Sequence, residues 1–388
     1  MSKVRIRQVA LFIETSGAFG RGLLAGIARF NQEHGHWSTY CQPRGLGAPV
    51  PDWFKRWRGD GILVRVDSRE VARAACRLGV PVVNLRNVLP NINLPYVGTD
   101  QAAVAELAAQ HLLGRGLKNF GFCGRQYGAH PGLDERGETY IGRIRNAGYT
   151  CSEFRSIDTG GGGNWESELE KMAKWVRNLP KPAGILAAND EKGLQVLEAC
   201  RRCGAAVPED IAVVGVDNDL PLCDLAIPPL TSVDPNAEKV GYEAAVLLNE
   251  MMDGRPAPRA KILIAPLGIT VRRSTDILAC EDEDVRKALG FIRHAALGRI
   301  RVAEVDAHVG VSRKILQEKI RRYTGRTIYQ LVEQTRIDRA KELLLLPSLT
   351  IKQVAIKAGF RSTQYLTRVL KMSTGETPAQ FRSKRLRP

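Results

Sequence analysis

Polar side chains stand directly after several short apolar runs in the first 275 residues. The runs VALFI, GILAA and IAVVGV, for example, lead into Glu14, Asn189 and Asp217. A carboxylate accepts hydrogen bonds from hydroxyl groups, and an asparagine side chain both donates and accepts them. Because ligands of open parallel sheets bind beyond the carboxyl ends of the strands, we expect a binding site among these residues. The full set is Glu14, Thr15, Ser16, Asp100, Asn189, Asp190, Asp217 and Asn218.

The motifs of common α/β enzymes are absent from the chain. A dinucleotide site needs Gly-x-Gly-x-x-Gly after the first strand, whereas Gly17, Gly20 and Gly22 invert that spacing. The sequence also lacks Gly-x-Ser-x-Gly, His-Glu-x-x-His and the Walker motif, and its six histidines do not cluster. An α/β enzyme is therefore only the alternative interpretation, and we expect no catalytic residues.

Eight cysteines are scattered along the chain. Cys200 and Cys203 form a Cys-x-x-Cys inside a predicted helix, without the second pair or the histidines that a zinc site needs. We interpret the cysteines as small hydrophobic residues of a reduced protein, and we expect neither a metal nor a cofactor. The glycine tract of TGGGGNW (159–165) does not match the phosphate-binding loop, so we expect a surface loop there.

Segments typical of strands and helices alternate through the first 275 residues. DGILVRV, VPVVNL and DIAVVGVDN have the continuous apolar runs of strands that are buried on both faces. GRGLLAGIARFNQEHG and DQAAVAELAAQHLLGRG have the apolar spacing of helices. Parallel sheets with helices on both faces produce this alternation. We therefore predict two doubly wound α/β lobes.

The net charge of +16 is confined to the last quarter of the chain. Residues 285–388 hold 23 Lys and Arg against 7 Asp and Glu, whereas residues 1–284 hold 34 of each. A basic module attached to a neutral one indicates a domain that binds a polyanion such as DNA.

This basic segment contains two predicted helix-turn-helix units. In the first, at about 302–321, Gly310 can adopt the left-handed conformation that ends one helix, and Ser312 can cap the next. In the second, at about 350–371, Gly359 and Ser362 repeat the pattern. The second helix of such a unit lies in the major groove, where Arg and Gln suit bases and Lys and Thr suit bases or phosphates. The predicted DNA contacts are Arg313, Lys314, Gln317, Arg321, Arg361, Thr363, Gln364, Thr367, Arg368 and Lys371.

The region from about 285 to 388 resembles the DNA-binding domain of the AraC-type transcription regulators. The resemblance rests on GVSRKILQEKIRRYTGRT, RIDRAKELLL and TIKQVAIKAGFRSTQYLTRVLKMSTGETPAQFR. The chain departs at Leu366 and Leu370, where the family usually has phenylalanine, and at Asp306, where it usually packs alanine. Promoter DNA is the partner that this resemblance implies.

The preceding residues resemble the core shared by the lac repressor and the periplasmic sugar-binding proteins. The matching segments are YVGTDQAAVAELAAQHLLGRGLKNFGF, GILAANDEKGLQVLEACRRCGAAVPEDIAVVGVDN and IPPLTSVDPNAEKVGYEAAVLL. A sensor of this kind followed by an AraC-type domain resembles the xylose-operon regulator family. The resemblance implies an activator of a pentose operon that responds to a sugar, with xylose as the first candidate. A DNA-binding protein without an effector is the further alternative.

The resemblance also implies which residues contact the sugar. They are Asp100, Arg136, Asn189 and Asp217, with Phe19 as the candidate aromatic ring against the apolar face of the sugar. Carboxylates accept hydrogen bonds from hydroxyls, and a guanidinium donates a pair of them in a fixed fork. Where lac-repressor relatives often have glutamine after PPLT, this chain has SVDP, which contains Asp234.

We thus expect a two-lobed sensor over 1–278, a linker over 279–284 and an all-α DNA-binding domain over 285–388. The N-terminal apolar run ends at Glu14 without a cleavage site, which predicts a β-strand and a cytoplasmic protein. No apolar run is long enough for a membrane span. The family resemblance implies a homodimer, with RNA polymerase as a further partner.

Overall fold

The computed structural model describes residues 5–35, 37–45, 47–89, 92–156, 165–258, 260–277, 280–295 and 302–385. The chain divides into two compact units, Met1–Leu278 and Ala279–Pro388. No helix in the described ranges is long and apolar enough to cross a membrane. The predicted glycine loop lies outside the described residues, apart from Trp165, which begins a helix.

The first lobe of the larger unit is a parallel sheet covered by helices on both faces. Its first elements are β1 (Arg7–Phe12), α1 (Ala18–His34), β2 (Trp37–Cys41), α2 (Asp52–Lys55), β3 (Gly61–Val64), α3 (Arg69–Cys76), β4 (Val82–Asn84) and β5 (Val97–Thr99). Four parallel strands lie in the order β2-β1-β3-β4. Side chains of β1 alternate between the faces, so Val9 and Leu11 join one core while Ala10 and Phe12 join the other. This two-sided burial explains the continuous apolar run of the strand.

The second lobe is a six-stranded sheet in the order β12-β10-β9-β8-β6-β7. Among the described strands of this sheet, the pair β10–β12 is antiparallel and the other pairs are parallel. The chain then returns to the first lobe with α9, which packs on α1, and with β11, which pairs with β5. The elements in chain order are α4 (Gln101–Gly114), β6 (Asn119–Arg125), α5 (Pro131–Asn146), β7 (Cys151–Ser156), α6 (Trp165–Asn178), β8 (Ala183–Ala187), α7 (Asp190–Cys203), β9 (Ile211–Val216), α8 (Leu220–Leu225), β10 (Thr231–Asp234), α9 (Ala237–Met252), β11 (Ile262–Ile264), β12 (Gly268–Thr270) and a 3₁₀ helix (Arg273–Thr275). The prediction of two doubly wound lobes is confirmed.

Helices α1 and α9 approach closely because glycines stand where they cross. A methyl group at Gly26 would overlap the carbonyl oxygen of Glu238, and one at Gly241 would overlap that of Leu23. The contact buries Val240 and its neighbours in the core of the first lobe. The first lobe is therefore completed by a helix from the far end of the sensor sequence.

The chain crosses between the lobes three times, after β5, after β10 and after β11. Hydrogen bonds join the crossings to one another. Thr99 Oγ1 donates to the carbonyl of Pro235 at 2.9 Å, and the N–H of Asp100 donates to the carbonyl of Ile264 at 2.8 Å. Asn236, on the second crossing, has a positive φ of 63°, which asparagine tolerates better than most residues. The three crossings thus form one hydrogen-bonded hinge.

The second unit is helical throughout its described residues. Its helices are α10 (Glu283–Ala295), α11 (Val302–Val309), α12 (Arg313–Thr324), α13 (Ile328–Leu344), α14 (Ile351–Lys357), α15 (Thr363–Thr374) and α16 (Pro378–Arg385). Helix α13 belongs to two cores. Ile328 and Val332 pack with α10, α11 and α12, whereas Ile337 and Leu344 pack with α14, α15 and α16. This long helix therefore joins the two helix-turn-helix units.

Both predicted helix-turn-helix turns are present. Gly310 and Gly359 each have a φ of 79°, the left-handed conformation that glycine adopts without strain. Ser362 caps α15 by accepting the N–H of Tyr365 at 3.1 Å, and Ser312 caps α12 in the same way. These local signals were readable in the sequence because a cap and a turn need only a few neighbouring residues.

The segment expected as a linker, 279–284, is partly built into the second unit. Cys280 is buried in its core and Glu283 begins α10. Asp282 Oδ1 accepts the N–H groups of Asp284 and Val285 at 3.0 and 3.3 Å. The acidic residues therefore serve the N-terminus of a helix, where carboxylates are stabilising.

Candidate ligand cavity and nucleic-acid interface

A cavity of about 490 Å³ opens where the strand ends of the two lobes face each other. Glu14, Arg65 and Arg86 line it from the first lobe, each just after a strand. Asn189 and Asp217 line it from the second lobe, after β8 and β9. Parallel sheets bind ligands at this place, and the volume falls within the range of small-molecule sites.

Arg136, on α5, is a buried wall residue of this cavity at 3% exposure. Its Nε donates to Gln101 Oε1 at 2.9 Å, and its Nη1 donates to the carbonyl of Ala188. Burial lowers the pKa of Arg136 to about 10, although the nearby carboxylates of Asp217 and Asp190 act in the opposite direction. The guanidinium thus stays charged at neutral pH in a fixed orientation, ready to donate to a hydroxylated ligand.

Asp217 combines a strained backbone with a raised pKa. Its φ of 115° lies in a region that residues other than glycine rarely adopt. Burial and the carboxylate of Asp190 raise the pKa of Asp217 to about 7, against the attraction of Arg136 and Arg65. Strain and perturbed pKa values concentrate at functional sites. A bound hydroxyl donor would stabilise the ionised form of this carboxylate.

Asp190 is engaged within the protein. Its carboxylate accepts the hydroxyl of Ser232 at 2.6 Å and the N–H of Asp219 at 2.8 Å. Burial raises the pKa of Asp190 to about 6, and these hydrogen bonds act in the opposite direction. The side chain therefore holds the end of β8 to β10 and to the start of α8.

Phe19 borders the cavity from the start of α1. The guanidinium of Arg65 lies 5.1 Å from the centre of its ring and forms an ion pair with Glu14. Burial and the neighbouring charge of Arg86 lower the pKa of Arg65 to about 9. The first lobe thus presents an aromatic face beside paired charges.

Asn189 lines the cavity and also begins a helix. Its Oδ1 accepts the N–H of Lys192 at 3.0 Å and so caps α7. The cap uses the oxygen of the amide and leaves its nitrogen for another partner. The structure thus brings four of the five predicted ligand residues to one cavity: Phe19, Arg136, Asn189 and Asp217.

Asp100, the fifth predicted ligand residue, lies at the hinge. Its Oδ1 accepts the N–H of Ala103 at 2.9 Å and caps α4. Its neighbours Thr99 and Gln101 border the cavity, whereas Asp100 is not among the lining residues. The position has the role of a helix cap in this structure because the chain turns there from one lobe to the other.

Arg65, Arg86 and His130 are among the charged or titratable cavity residues that the sequence analysis did not predict. Arg65 and Arg86 follow β3 and β4, so the rule that selected the other strand ends also points to them. His130 caps α5 by accepting the N–H of Leu133 at 3.3 Å, and Pro131 at the first helical position is its sequence signal. Burial and the surrounding arginines hold the pKa of His130 well below its usual range, so the ring is neutral.

The predicted DNA contacts form two rows on the outer sides of α12 and α15, and Arg361 lies just before α15. The opposite sides are buried, with Leu316 and Ile320 on α12 and Leu366 and Leu370 on α15. Contact of the rows with DNA stays a prediction. All residues of the two rows are exposed or half-buried. The rows comprise Arg313, Lys314, Gln317 and Arg321 in the first unit and Arg361, Thr363, Gln364, Thr367, Arg368 and Lys371 in the second.

Asp306 places a carboxylate beside the first row. Its side chain is 17% exposed on α11, and its Oδ2 lies 3.8 Å from Nε of Arg313. The residue that departs from the AraC-type pattern is therefore an ion-pair partner of a predicted DNA contact. Its negative charge thus lies beside the first residue of α12.

Tyr365 connects the second row to α13. Its hydroxyl donates to Glu333 Oε1 at 2.5 Å and lies 3.0 Å from the hydroxyl of Tyr329. The guanidinium of Arg368 lies 5.0 Å from the centre of the Tyr365 ring. The sequence pattern did not reveal this network because it joins residues from two helices about 30 residues apart.

Two family models match the chain, one in each unit. A periplasmic binding protein-like domain matches residues 109–275, and a helix-turn-helix domain matches residues 306–384. The first covers most of the second lobe and part of the first, and the second begins within α11. The predicted sensor and DNA-binding resemblances are thus confirmed at the level of the domains.

The chain is also similar to known regulators over nearly its whole length. It is 29% identical to the xylose operon regulatory protein of Haemophilus influenzae, over 97% of this chain and 98% of the relative. It is 28% identical to the protein of that name from Escherichia coli K12, over 97% and 96%. A solved structure of the xylose-binding transcription activator xylR matches with a TM-score of 0.88 at 27% identity, covering 99% of both chains. With both domains in this order, the chain is a sugar-responsive, DNA-binding transcription regulator rather than an enzyme, and it is similar to the xylose operon regulatory proteins over nearly its whole length.

Proposed function

We propose that this protein binds xylose in the cytoplasm and activates transcription of a pentose-utilisation operon as a homodimer. The names of the similar proteins support xylose as the effector. The observation that carries the proposal is the cavity, where Arg136 on α5 and Asp217 after β9 line the side that the second lobe contributes. A buried donor and a strained acceptor at that place suit a ligand whose hydroxyls both donate and accept.

The proposed binding chemistry uses four side chains. Arg136 donates hydrogen bonds to neighbouring hydroxyls, and Asp217 accepts hydrogen bonds from them. Asn189 contributes its amide nitrogen, and Phe19 covers the apolar face of the ring. Because hydroxyl donors stabilise a carboxylate, sugar binding should lower the pKa of Asp217 from about 7.

The sugar acts by favouring one arrangement of the two lobes. Phe19 belongs to the first lobe, and the other proposed contacts belong to the second. A ligand that contacts both lobes binds the closed arrangement better and shifts the population towards it. The hydrogen-bonded hinge is the part of the sensor that such a movement would bend.

The promoter is read by two helix-turn-helix units in each chain. Each unit would place α12 or α15 in the major groove, with the paired units about one helical turn apart. Arginines and lysines of the rows supply the attraction to phosphates. As an activator, the bound dimer would then contact RNA polymerase beside the promoter.

Thermal unfolding of the full-length protein with a panel of sugars tests the effector. With 1 mM xylose and a Kd of 10 μM, binding adds about 2.7 kcal/mol to the free energy of unfolding. Arg136→Met should lose this stabilisation, whereas Arg145→Met, on the exposed side of the same helix, should retain it. If no pentose or hexose raises the melting temperature, the proposal of a sugar effector is wrong and the effector-independent alternative is favoured.

Measurement of promoter binding with and without xylose tests whether the sugar controls DNA binding. Fluorescence anisotropy with a promoter fragment should give a different Kd when the sugar is present. Sedimentation of the same samples tests the homodimer. Equal DNA affinities with and without a sugar that does bind would contradict a sugar-controlled regulator.

A further inference from the structure

The end of the sensor chain is fixed to the core of the second lobe. Ser274 Oγ donates to the carbonyl of Val213 at 2.6 Å. Thr275 Oγ1 lies 2.8 Å from both His111 Nε2 and Thr231 Oγ1. Ser274 and Thr275 are fully buried. The chain therefore moves with the second lobe as far as residue 275.

The next fixed point is Cys280, in the second unit. Cys280 is 1% exposed in the core that α10, α11, α12 and α13 share. Arg286 Nη1 donates to the carbonyls of Cys280 and Glu281 at 3.0 and 2.8 Å. Only four residues separate the two fixed points. At no more than about 3.6 Å per residue, the connection keeps the two fixed points within about 18 Å of each other, so a larger displacement of one end must move the other.

The segment after Cys280 is joined to α12 by ion pairs. Lys319 Nζ lies 3.0 Å from Asp282 Oδ2 and 2.5 Å from Asp284 Oδ2. Hydrogen bonds to Asp284 and Asp282 raise the pKa of Lys319 above its ordinary value. We call these three residues the acidic clamp. The clamp is partly shielded, with the Lys319 side chain 35% exposed.

Lys319 stands on the side of α12 away from the predicted DNA contacts. Gln317 and Lys319 are two residues apart, which places them on opposite sides of a helix. Arg313 and Arg321 flank Gln317 at four-residue spacing on the outer side. A pull on Lys319 from the inner side would therefore tilt or shift the outer row as one body.

We propose that the acidic clamp is the coupling joint of this regulator, through which Lys319 transmits the sugar-dependent movement of the second lobe to α12. The inference rests on the proposed sugar response. Lys319 is a positioning residue, since it acts on the DNA contacts through the helix that carries them. Partly exposed ion pairs contribute little to folding, so their removal should spare stability while it disconnects the helix.

The test compares three full-length variants by promoter Kd with and without saturating xylose. The response is the ratio of these two constants, which allosteric coupling typically makes 5- to 150-fold. Lys319→Gln should reduce the response at least threefold, with the xylose Kd and the melting temperature unchanged. Lys319→Arg keeps the cation and should keep the response. Lys287→Gln is the matched control, because its partner Glu283 lies on its own helix α10.

Three other outcomes overturn the inference in distinguishable ways. If Lys319→Gln weakens DNA binding equally with and without xylose, Lys319 is only a general cation of the DNA-binding domain and the clamp does not couple. If Lys319→Gln binds DNA with an unchanged response, the coupling path lies elsewhere. If the wild-type protein itself shows no response to xylose, the proposed function fails and the clamp proposal fails with it.

Discussion

Replacement of Asp217 by asparagine should stabilise the protein and weaken its sugar binding at the same time. Asparagine has nearly the shape of aspartate, tolerates a positive φ and carries no charge. The substitution therefore removes the cost of a buried charge without a new cavity or a new backbone strain. It also removes the charged acceptor that we propose for the sugar hydroxyls.

The pKa of Asp217 sets the size of the stability gain. Its pKa is raised from 3.8 to about 7, and each pH unit corresponds to about 1.4 kcal/mol. Ionisation thus costs the folded state about 4 kcal/mol at pH 8, or about 2 kcal/mol once the water in the cavity is allowed for. The cost is absent below pH 3.8 and complete above pH 7, so wild-type stability falls across this window. The gain from Asp217→Asn should therefore be large at pH 8 and about a third of that at pH 5.

Thermal unfolding at pH 5 and pH 8 tests the predicted gain in stability. Calorimetry of xylose binding at pH 8 tests the predicted loss of affinity. A charged hydrogen bond contributes roughly 1.5–3 kcal/mol, so xylose should bind about 10- to 150-fold more weakly. Asp224→Asn is the control, since that side chain is 71% exposed and should change neither quantity. A variant that is less stable than wild type at pH 8 would refute the reasoning about burial, and an unchanged xylose Kd would refute the proposed contact.

Three further predictions concern packing and the DNA-binding unit. Gly241→Ala should destabilise the sensor by about 1–3 kcal/mol in chemical denaturation, because the methyl group meets the backbone of α1. Gly142→Ala lies in open space on α5 and should stabilise the sensor by roughly 0.5–1 kcal/mol in the same measurement. Ser362→Ala removes the cap of α15 and should lower the stability of the second unit by about 1 kcal/mol in the same measurement. Arg361→Ala should relax base preference in promoter titrations, whereas Lys371→Ala should weaken binding to all sequences and reduce the salt slope by about one.

The helix-turn-helix units were the most predictable part of the fold. Gly310 and Ser312 act on their nearest neighbours, so their roles could be inferred from spacing alone. Strands β2, β5, β7, β10 and β12 were not predicted, and β2 and β10 show two different reasons. Strand β2 is an edge strand with only Trp37 buried, so it lacks an apolar run. Strand β10 buries Thr231, whose hydroxyl is satisfied by the distant Thr275, and such a partner cannot be read from local sequence.

The candidate site was predictable where a side chain follows a buried strand. Asn189 and Asp217 lie in the cavity as that rule expects. Asp100 follows a strand as well, but that strand, β5, leads into a crossing between lobes, so its side chain caps a helix. The burial of Arg136 depends on Gln101, 35 residues away, and no spacing rule describes such a pair.

The bonded crossings between the lobes allow the sensitivity of this regulator to change without any change in its binding contacts. If only a fraction of the molecules is closed, the apparent Kd for the sugar equals the intrinsic constant divided by that fraction. A substitution at Pro235 or Asn236 that makes closure tenfold rarer would raise the sugar concentration needed for a response tenfold. Related regulators can therefore share one set of sugar contacts and still respond at very different sugar concentrations.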